Sequence, residues 1–285
     1  MSSSESRNVQ EAEAARRAAE VAVELSETDR PEDRRRLVAA LNGVARSAGR
    51  GAGWSAGIAR RGAGTAWRGA GRGAGSARRG AASLLNWLTA QVVAMGPRLK
   101  IRDQAALRAQ FPGRTDEEIA ELLIDRAARA AATVGGATGA WAALPTLPAF
   151  PAEVAAETLA VVGIELKLVA ELHEAYGAPA TGNAADRGRA YLAAWAHRRG
   201  VSVIPGGLML VAGSPLARQL RRRLAARVRR STFSLGPLFT GAVAGAVLNR
   251  GEVKRLGRDI VNDLRRYPVV RAERVSGPPL PGPRD

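Results

Sequence analysis

The chain has 285 residues, of which 24% are charged, and its formal net charge is +17. It contains no cysteine, which excludes disulfide bonds, thiolate zinc sites and cysteine nucleophiles. The basic residues are almost all arginine and lie in blocks: residues 43–100 hold ten basic and no acidic residues, and residues 200–285 hold sixteen basic and five acidic ones. Codon usage can account for part of this arginine, but its segregation predicts a polyanionic partner, either anionic lipid or nucleic acid.

The first 42 residues predict an N-terminal helical region. Residues 1–8 are polar, and we expect them to be disordered. A first helix is predicted over 9–25 and a second with Pro31 in its first turn and its end at Gly43. This polar, partly acidic start lacks the pattern of a secretory signal, so we expect a cytoplasmic protein.

Residues 43–82 form a basic, low-complexity arm that contains three eleven-residue repeats, each beginning with the letters RGAG. Eleven residues make about three helical turns, so in a helix each repeat position keeps its face. Trp54 lies on the small-residue side, and Trp67 lies nearer the arginines; both are predicted to be interfacial aromatics. A helix here would place six arginines on one side, facing an anionic surface: Arg46, Arg50, Arg61, Arg68, Arg72 and Arg79.

Glycine opposes helix formation in this arm. Residues 49–80 hold eleven glycines, and each costs about 1 kcal/mol in a helix interior relative to alanine. The arm is therefore predicted to be disordered in free solution and to gain helix on an anionic membrane, where each arginine contributes about 1 kcal/mol. A basic linker is the alternative.

Four stretches carry no charged residue: 80–97, 130–152, 200–217 and 231–249. Their lengths approach the roughly 20 apolar residues of a membrane span, but glycine and proline interrupt them. Such segments favour buried helical hairpins or helices at a bilayer surface. Four glycines in them are predicted to allow close helix packing: Gly135, Gly139, Gly241 and Gly245.

No sustained period-two alternation occurs, so the sequence predicts an all-α, multi-helix bundle over 83–267. Several helix boundaries can be predicted. One helix ends at Gly96, a capping box at Thr115 starts a helix running toward Val134, and another follows Pro151 and is capped by Gly177. Further helices are predicted over 184–199 with Asn183 as cap, over 214–230, from Pro237 onward and over about 252–266, before a flexible tail at 268–285.

The helix predicted over 214–230 is rich in arginine, with seven in residues 218–230. The ordinary interpretation is a helix face in contact with solvent, and the more specific alternative is contact with phosphate groups. The residues assigned to that contact are Arg221, Arg222, Arg223 and Arg227.

The sequence contains no clear catalytic set. Glu165 lies on the apolar side of its helix with His173 two turns further on, so the pair is a candidate proton relay or half of a metal site. Bonding of these polar residues to a neighbouring helix is the simpler interpretation. No further metal ligands occur at fitting spacing, no phosphate-binding loop is present, and we expect no cofactor.

Residues 98–266 resemble the EcsC family of bacterial proteins. The resemblance rests on residues 133–139 (TVGGATG) before a proline-rich turn, on 174–177 (EAYG) closing a long helix, and on 236–249 (GPLFTGAVAGAVLN) before a final helix. It implies a helical, membrane-associated protein, linked in some bacteria to an ABC transporter operon. It brings no established catalytic residues.

We therefore expect a non-enzymatic, peripheral protein of the inner face of the cell membrane that binds anionic lipid through its arginine-rich segments. A transporter or another membrane protein is a further expected partner. A basic nucleic-acid-associated protein is the alternative, although aromatic residues, at 4%, are few for stacking on single strands. An enzyme centred on Glu165 and His173 is the second alternative.

Overall fold

The computed structural model describes residues 3–28, 30–44, 86–142, 151–198 and 240–266, and within them the fold is all-α, as predicted. These residues form eight α-helices and one short 3-10 turn. The elements in chain order are α1 (Ser3–Thr28), α2 (31–44), α3 (86–95), the 3-10 turn (Gly96–Arg98), α4 (Gln104–Gln110), α5 (Asp116–Ala142), α6 (Pro151–Ala175), α7 (Ala184–Arg198) and α8 (Thr240–Arg266).

The predicted helix caps are confirmed by hydrogen bonds. The Glu118 N–H donates to Thr115 Oγ1 at 3.2 Å, and the Thr115 N–H donates to Glu118 Oε2 at 2.9 Å, which closes the capping box at the start of α5. Asn183 Oδ1 accepts two main-chain N–H groups at the start of α7. Gly177 ends α6 with a φ of +67°, a conformation that glycine adopts without strain.

The helices differ from those predicted in four respects. Helix α1 begins at Ser3, so residues 3–8 are helical where disorder was predicted; serines before Glu5 suit a helix start. Helix α5 continues to Ala142, through the glycines after Val134. The two helices predicted around residue 250 are one helix, α8. Helix α4, capped by Asp103, was not predicted. Packing along the whole of α5 and α8 outweighs the low helix propensity of their glycines.

Helix α6 is the centre of the bundle. From Ala155 to Ala175 every side chain is buried except those of Glu157 and His173, which are partly buried. Helices α1, α5, α7 and α8 pack around it, and α4 covers its C-terminal end. Apolar residues of α1 and α2 belong to the same core, so the predicted N-terminal region shares one hydrophobic core with the helices that follow.

Helices α5 and α8 run antiparallel along their length. Ion pairs join Glu117 to Arg265 at 3.6 Å and Asp125 to Lys254 at 2.8 Å. Beyond them the two backbones meet at Gly135 and Gly245: a Cβ on Gly135 would lie 2.3 Å from the Gly245 carbonyl oxygen. Real Cβ atoms do not approach that closely, so only glycine allows this crossing. The close packing predicted for these two glycines is confirmed.

Alanine at either crossing position therefore destabilises the protein. We expect Gly135→Ala and Gly245→Ala each to lower the free energy of unfolding by about 1–3 kcal/mol, because the added methyl group meets backbone atoms that cannot rotate away. Urea denaturation followed by circular dichroism measures the change.

Gly251→Ala is the matched control on the same helix. A Cβ on Gly251 has no neighbour within 4 Å, so we expect alanine there to stabilise α8 by up to about 1 kcal/mol through helix propensity. Equal effects at Gly245 and Gly251 would show that backbone approach does not determine the packing.

Candidate functional site

Two of the four uncharged stretches meet at one end of the bundle. The second half of α5, residues 130–142, and the first half of α8, residues 240–249, lie side by side around the Gly135–Gly245 crossing. The start of α6 joins them, since Asn249 Nδ2 donates to Glu157 Oε1 at 3.2 Å. The antiparallel packing of α5 with α8 therefore gathers sequence segments that lie about a hundred residues apart.

This end of α8 exposes apolar side chains. Val243, Val247 and Leu248 are 66%, 63% and 52% exposed. Val243 and Val247 are one helical turn apart and share a face, and Leu248 lies beside them. Three large aliphatic side chains held together in water are unfavourable unless something covers them, so this patch is a candidate contact surface. We call residues 243, 247 and 248 the apolar tip of α8.

The outer face of α8 becomes basic immediately after the apolar tip. Its exposed cations run to the end of the helix: Arg250, Arg255, Arg258, Arg265 and Arg266. On the inner side, the hydrogen bond and charge of Lys254 lower the pKa of Asp125, so this pair holds α8 against α5. One helix thus presents an apolar tip followed by arginines.

The other two glycines predicted to pack closely, Gly139 and Gly241, lie on the same two helices. Gly139 lies one turn after Gly135 in α5 and is partly buried, and Gly241 lies in the first turn of α8. The close packing predicted for these two positions stays a prediction. A Cβ placed on Gly136 would lie 3.7 Å from Ala246 Cβ, so Gly136 also faces α8.

The arginines and tryptophans predicted to contact an anionic surface lie outside the described residues and stay predictions. They are Arg46, Arg50, Arg61, Arg68, Arg72, Arg79, Arg221, Arg222, Arg223, Arg227, Trp54 and Trp67.

Glu165 and His173 are held by different neighbours. Glu165 is fully buried and accepts a hydrogen bond from Trp195 Nε1 of α7 at 2.9 Å. His173 Nδ1 lies 2.7 Å from the Val169 carbonyl oxygen, and its ring packs 5.7 Å from that of Tyr191. The expected bond from this helix to its neighbour is therefore present. Within the described part of the chain, no three side chains of the metal-ligating types cluster together.

A buried ion network lies at the end of α6 opposite the apolar tip, and the sequence pattern did not reveal it. Lys167 Nζ lies 2.7 Å from Glu171 Oε1 and 2.9 Å from Glu27 Oε1 of α1, and it also donates to the Lys100 carbonyl oxygen. Arg102 closes the network through Nε and Nη2, at 2.7 and 2.5 Å from the two oxygens of Glu171. Two cations and two carboxylates make the cluster neutral.

Arg102 remains charged within this network. Burial alone lowers the pKa of its guanidinium, but the hydrogen bond and the charge of Glu171, with the charge of Glu27, raise it above the ordinary value. The i,i+4 spacing of Lys167 and Glu171 was the only local signal, because both partners from outside α6 are distant in sequence.

A third buried carboxylate of α6, Glu174, is paired with α7. Tyr191 Oη donates to Glu174 Oε1 at 2.9 Å, and Arg187 donates to the same oxygen. Burial raises the pKa of the Tyr191 hydroxyl, and the bond to Glu174 raises it further. Each buried glutamate of α6 therefore has a donor on another segment.

Comparisons with known proteins return no match: no family model, no curated protein and no solved structure is similar to this chain. The resemblance to the EcsC family stays a prediction. None of the described helices is both long and apolar enough to cross a membrane.

Removing Lys167 leaves the buried carboxylate of Glu171 and the partly buried carboxylate of Glu27 without their shared cation. We expect Lys167→Met, which keeps the side-chain length, to lower the free energy of unfolding by about 3–5 kcal/mol. Arg17→Met is the control, since Arg17 pairs with Glu13 at the surface and should change stability by at most about 1 kcal/mol. Equal losses in chemical denaturation would rule out a structural role for the network.

The Asp125–Lys254 pair gives a stability contribution that depends on pH. The pKa of Asp125 is lowered in the folded state, so the contribution is present above the unfolded pKa of about 3.9 and disappears as pH falls through the folded pKa. We expect Asp125→Asn to cost about 0.2–1 kcal/mol at pH 6 and nothing at pH 2. Urea titrations of parent and variant at the two pH values measure both differences, and an equal cost at pH 6 and pH 2 would contradict this role of the pair.

Proposed function

We propose that this protein is a non-enzymatic, peripheral membrane-associated protein that binds anionic lipid surfaces. The observation that carries the proposal is the outer face of α8, where the apolar tip is followed directly by exposed arginines. Apolar side chains beside a basic helix face are typical of interfacial helices, which bury the apolar part at the headgroup boundary and hold the cations at the phosphates.

The packing beneath α8 supports this proposal. The Gly135–Gly245 crossing holds the first half of α8 directly on α5, so the apolar tip is carried by two packed helices. A rigid support lowers the conformational entropy that a surface contact has to overcome. The uncharged residues 231–239, which precede α8 in the chain, extend the same compositional pattern.

The sequence adds two further supports. The arm at 43–82 and the run at 218–230 add basic residues, each able to contribute about 1 kcal/mol near an anionic surface. The EcsC resemblance favours a role at the envelope, with a transporter or another membrane protein as partner. We place the protein on the cytoplasmic, inner face of the cell membrane, where anionic lipid attracts such segments.

Co-sedimentation with liposomes tests the proposal. We expect the full-length protein to pellet with vesicles rich in phosphatidylglycerol and to remain in the supernatant with phosphatidylcholine vesicles. Absence from both pellets at low salt contradicts the proposal. Duplex DNA serves as competitor: if it displaces the protein and binds it more tightly than the vesicles do, the nucleic-acid alternative is favoured.

Variants of α8 locate the surface. We expect Arg250→Gln, Arg255→Gln and Arg258→Gln each to weaken binding to anionic vesicles by about fivefold, and a combined change of Val243, Val247 and Leu248 to serine to weaken it several-fold. All six side chains are exposed, so thermal stability should be retained. Val38→Ser, at an exposed valine of α2, is the control for the apolar change. Unchanged binding by both sets of variants would exclude α8 as the contact.

A further inference from the structure

A cleft of about 540 Å³ lies between α1 and α3, with Leu159 of α6 in its lining. Its volume falls within the range of about 300–1,000 Å³ that is usual for small-molecule sites. Beneath it, Gly163 of α6 brings the two walls together: a Cβ there would lie 2.8 Å from Val23 Cγ2 and 3.0 Å from Met95 Sδ. The cleft is separate from the outer face of α8, none of whose residues line it.

The two walls of the cleft follow the same direction along α6. Val23 and Met95 meet above Gly163, and one turn further on Glu27 and the Lys100 carbonyl meet at Lys167. The segment between Met95 and Lys100 therefore runs beside the segment of α1 between Val23 and Glu27. Glu24 and Arg98 line the cleft from these two segments.

Apart from Arg16 of α1, the two walls carry opposite charges, and these charges do not pair with each other. Glu20 and Glu24 line the α1 wall, and Arg98 and Lys100 line the other. Among the described residues, the one ion pair of these four is a long contact of 3.9 Å between Glu24 and Arg36, which lies outside the cleft. Glu27, the third acid of the α1 wall, is already paired with Lys167.

The lining below these charges is apolar. It includes the side chains of Val23, Met95, Leu99 and Leu159, with Ala19 and Ala94 at the sides. Arg16 and Gln91 lie toward the other end of the cleft. A ligand that fits this distribution has an apolar chain for the lining and a headgroup that carries both charges.

We propose that this cleft binds a single-chain zwitterionic lipid whose headgroup joins an ammonium to a phosphate. The ammonium pairs with Glu24 and Glu20, the phosphate pairs with Arg98 and Lys100, and the acyl chain covers Met95, Leu159 and their apolar neighbours. A purely anionic headgroup would place its charge between these cations and the carboxylates of Glu20 and Glu24. An uncharged headgroup would leave both walls unpaired.

Equilibrium dialysis of the full-length protein tests the proposal. The probes are lysophosphatidylethanolamine, lysophosphatidylglycerol and a monoacylglycerol, all with a twelve-carbon chain and below their micelle concentrations. We expect the ethanolamine lipid to bind at least about fivefold more tightly than either of the others. No binding, equal binding of the monoacylglycerol, or tighter binding of the glycerol lipid overturns the proposal.

Single substitutions identify the two headgroup contacts. Glu24→Gln and Arg98→Gln should each weaken binding of the ethanolamine lipid by about fivefold and leave binding of the monoacylglycerol unchanged. Both side chains are exposed enough for the fold to persist, which a circular dichroism melt verifies. Unchanged affinity in both variants overturns the assignment of the headgroup.

A larger side chain in the lining tests where the acyl chain lies. Ala94→Trp fills the cleft from an exposed position and should abolish binding of the ethanolamine lipid, whereas Ala109→Trp, at an exposed position of α4, should not. Binding by Ala94→Trp as strong as that of the parent overturns the proposal. The Arg255→Gln variant should keep this affinity while losing affinity for vesicles, so the two proposals can fail separately.

Discussion

The burial of α6 between Ala155 and Ala175 is the constraint on which the rest of this bundle depends. A helix surrounded by other helices has to pair its charged groups inside the protein, since an unpaired buried charge costs several kcal/mol. Five of the nine buried polar or charged side chains of the described residues lie on α6: Thr158, Glu165, Lys167, Glu171 and Glu174. Its four charged members each bond to a group on another segment.

These bonds determine where the surrounding elements lie. Hydrogen bonds from Trp195 to Glu165 and from Tyr191 to Glu174 hold α7 along one side of α6. The ion pair of Glu27 with Lys167 holds the C-terminal end of α1 against α6. The ion pair of Arg102 with Glu171 holds the segment before α4 against the same helix. The hydrophobic effect drives the burial of α6 without direction, and the charged groups supply the specific geometry. The same network forms one end of the cleft between α1 and α3, so the position of the cleft follows from the pairing of Lys167.

At the other end of the bundle, small residues rather than ion pairs determine how the helices pack. The Gly135–Gly245 crossing brings α8 onto α5 by backbone contact, so few side chains are available there to cover the outer face of α8. The apolar tip is exposed, and the arginines beyond it lie at exposed positions of α8, where Arg265 pairs with Glu117 of α5. The proposed lipid surface is thus a consequence of how closely two helices approach.

The sequence by itself determined the helical class and the helix ends that depend on local chemistry, such as the capping box at Thr115 and the cap at Asn183, because those bonds join residues two or three apart. It also predicted the approach of Gly135 and Gly245. It did not predict that α5 and α8 continue through their glycines, because packing between distant segments offsets the local cost. Only the tertiary structure decided that Glu27, Arg102 and Lys167 form one network and that opposite charges face each other across the cleft. Ion pairs between residues some 70 to 140 positions apart depend on chain topology, which local patterns do not encode.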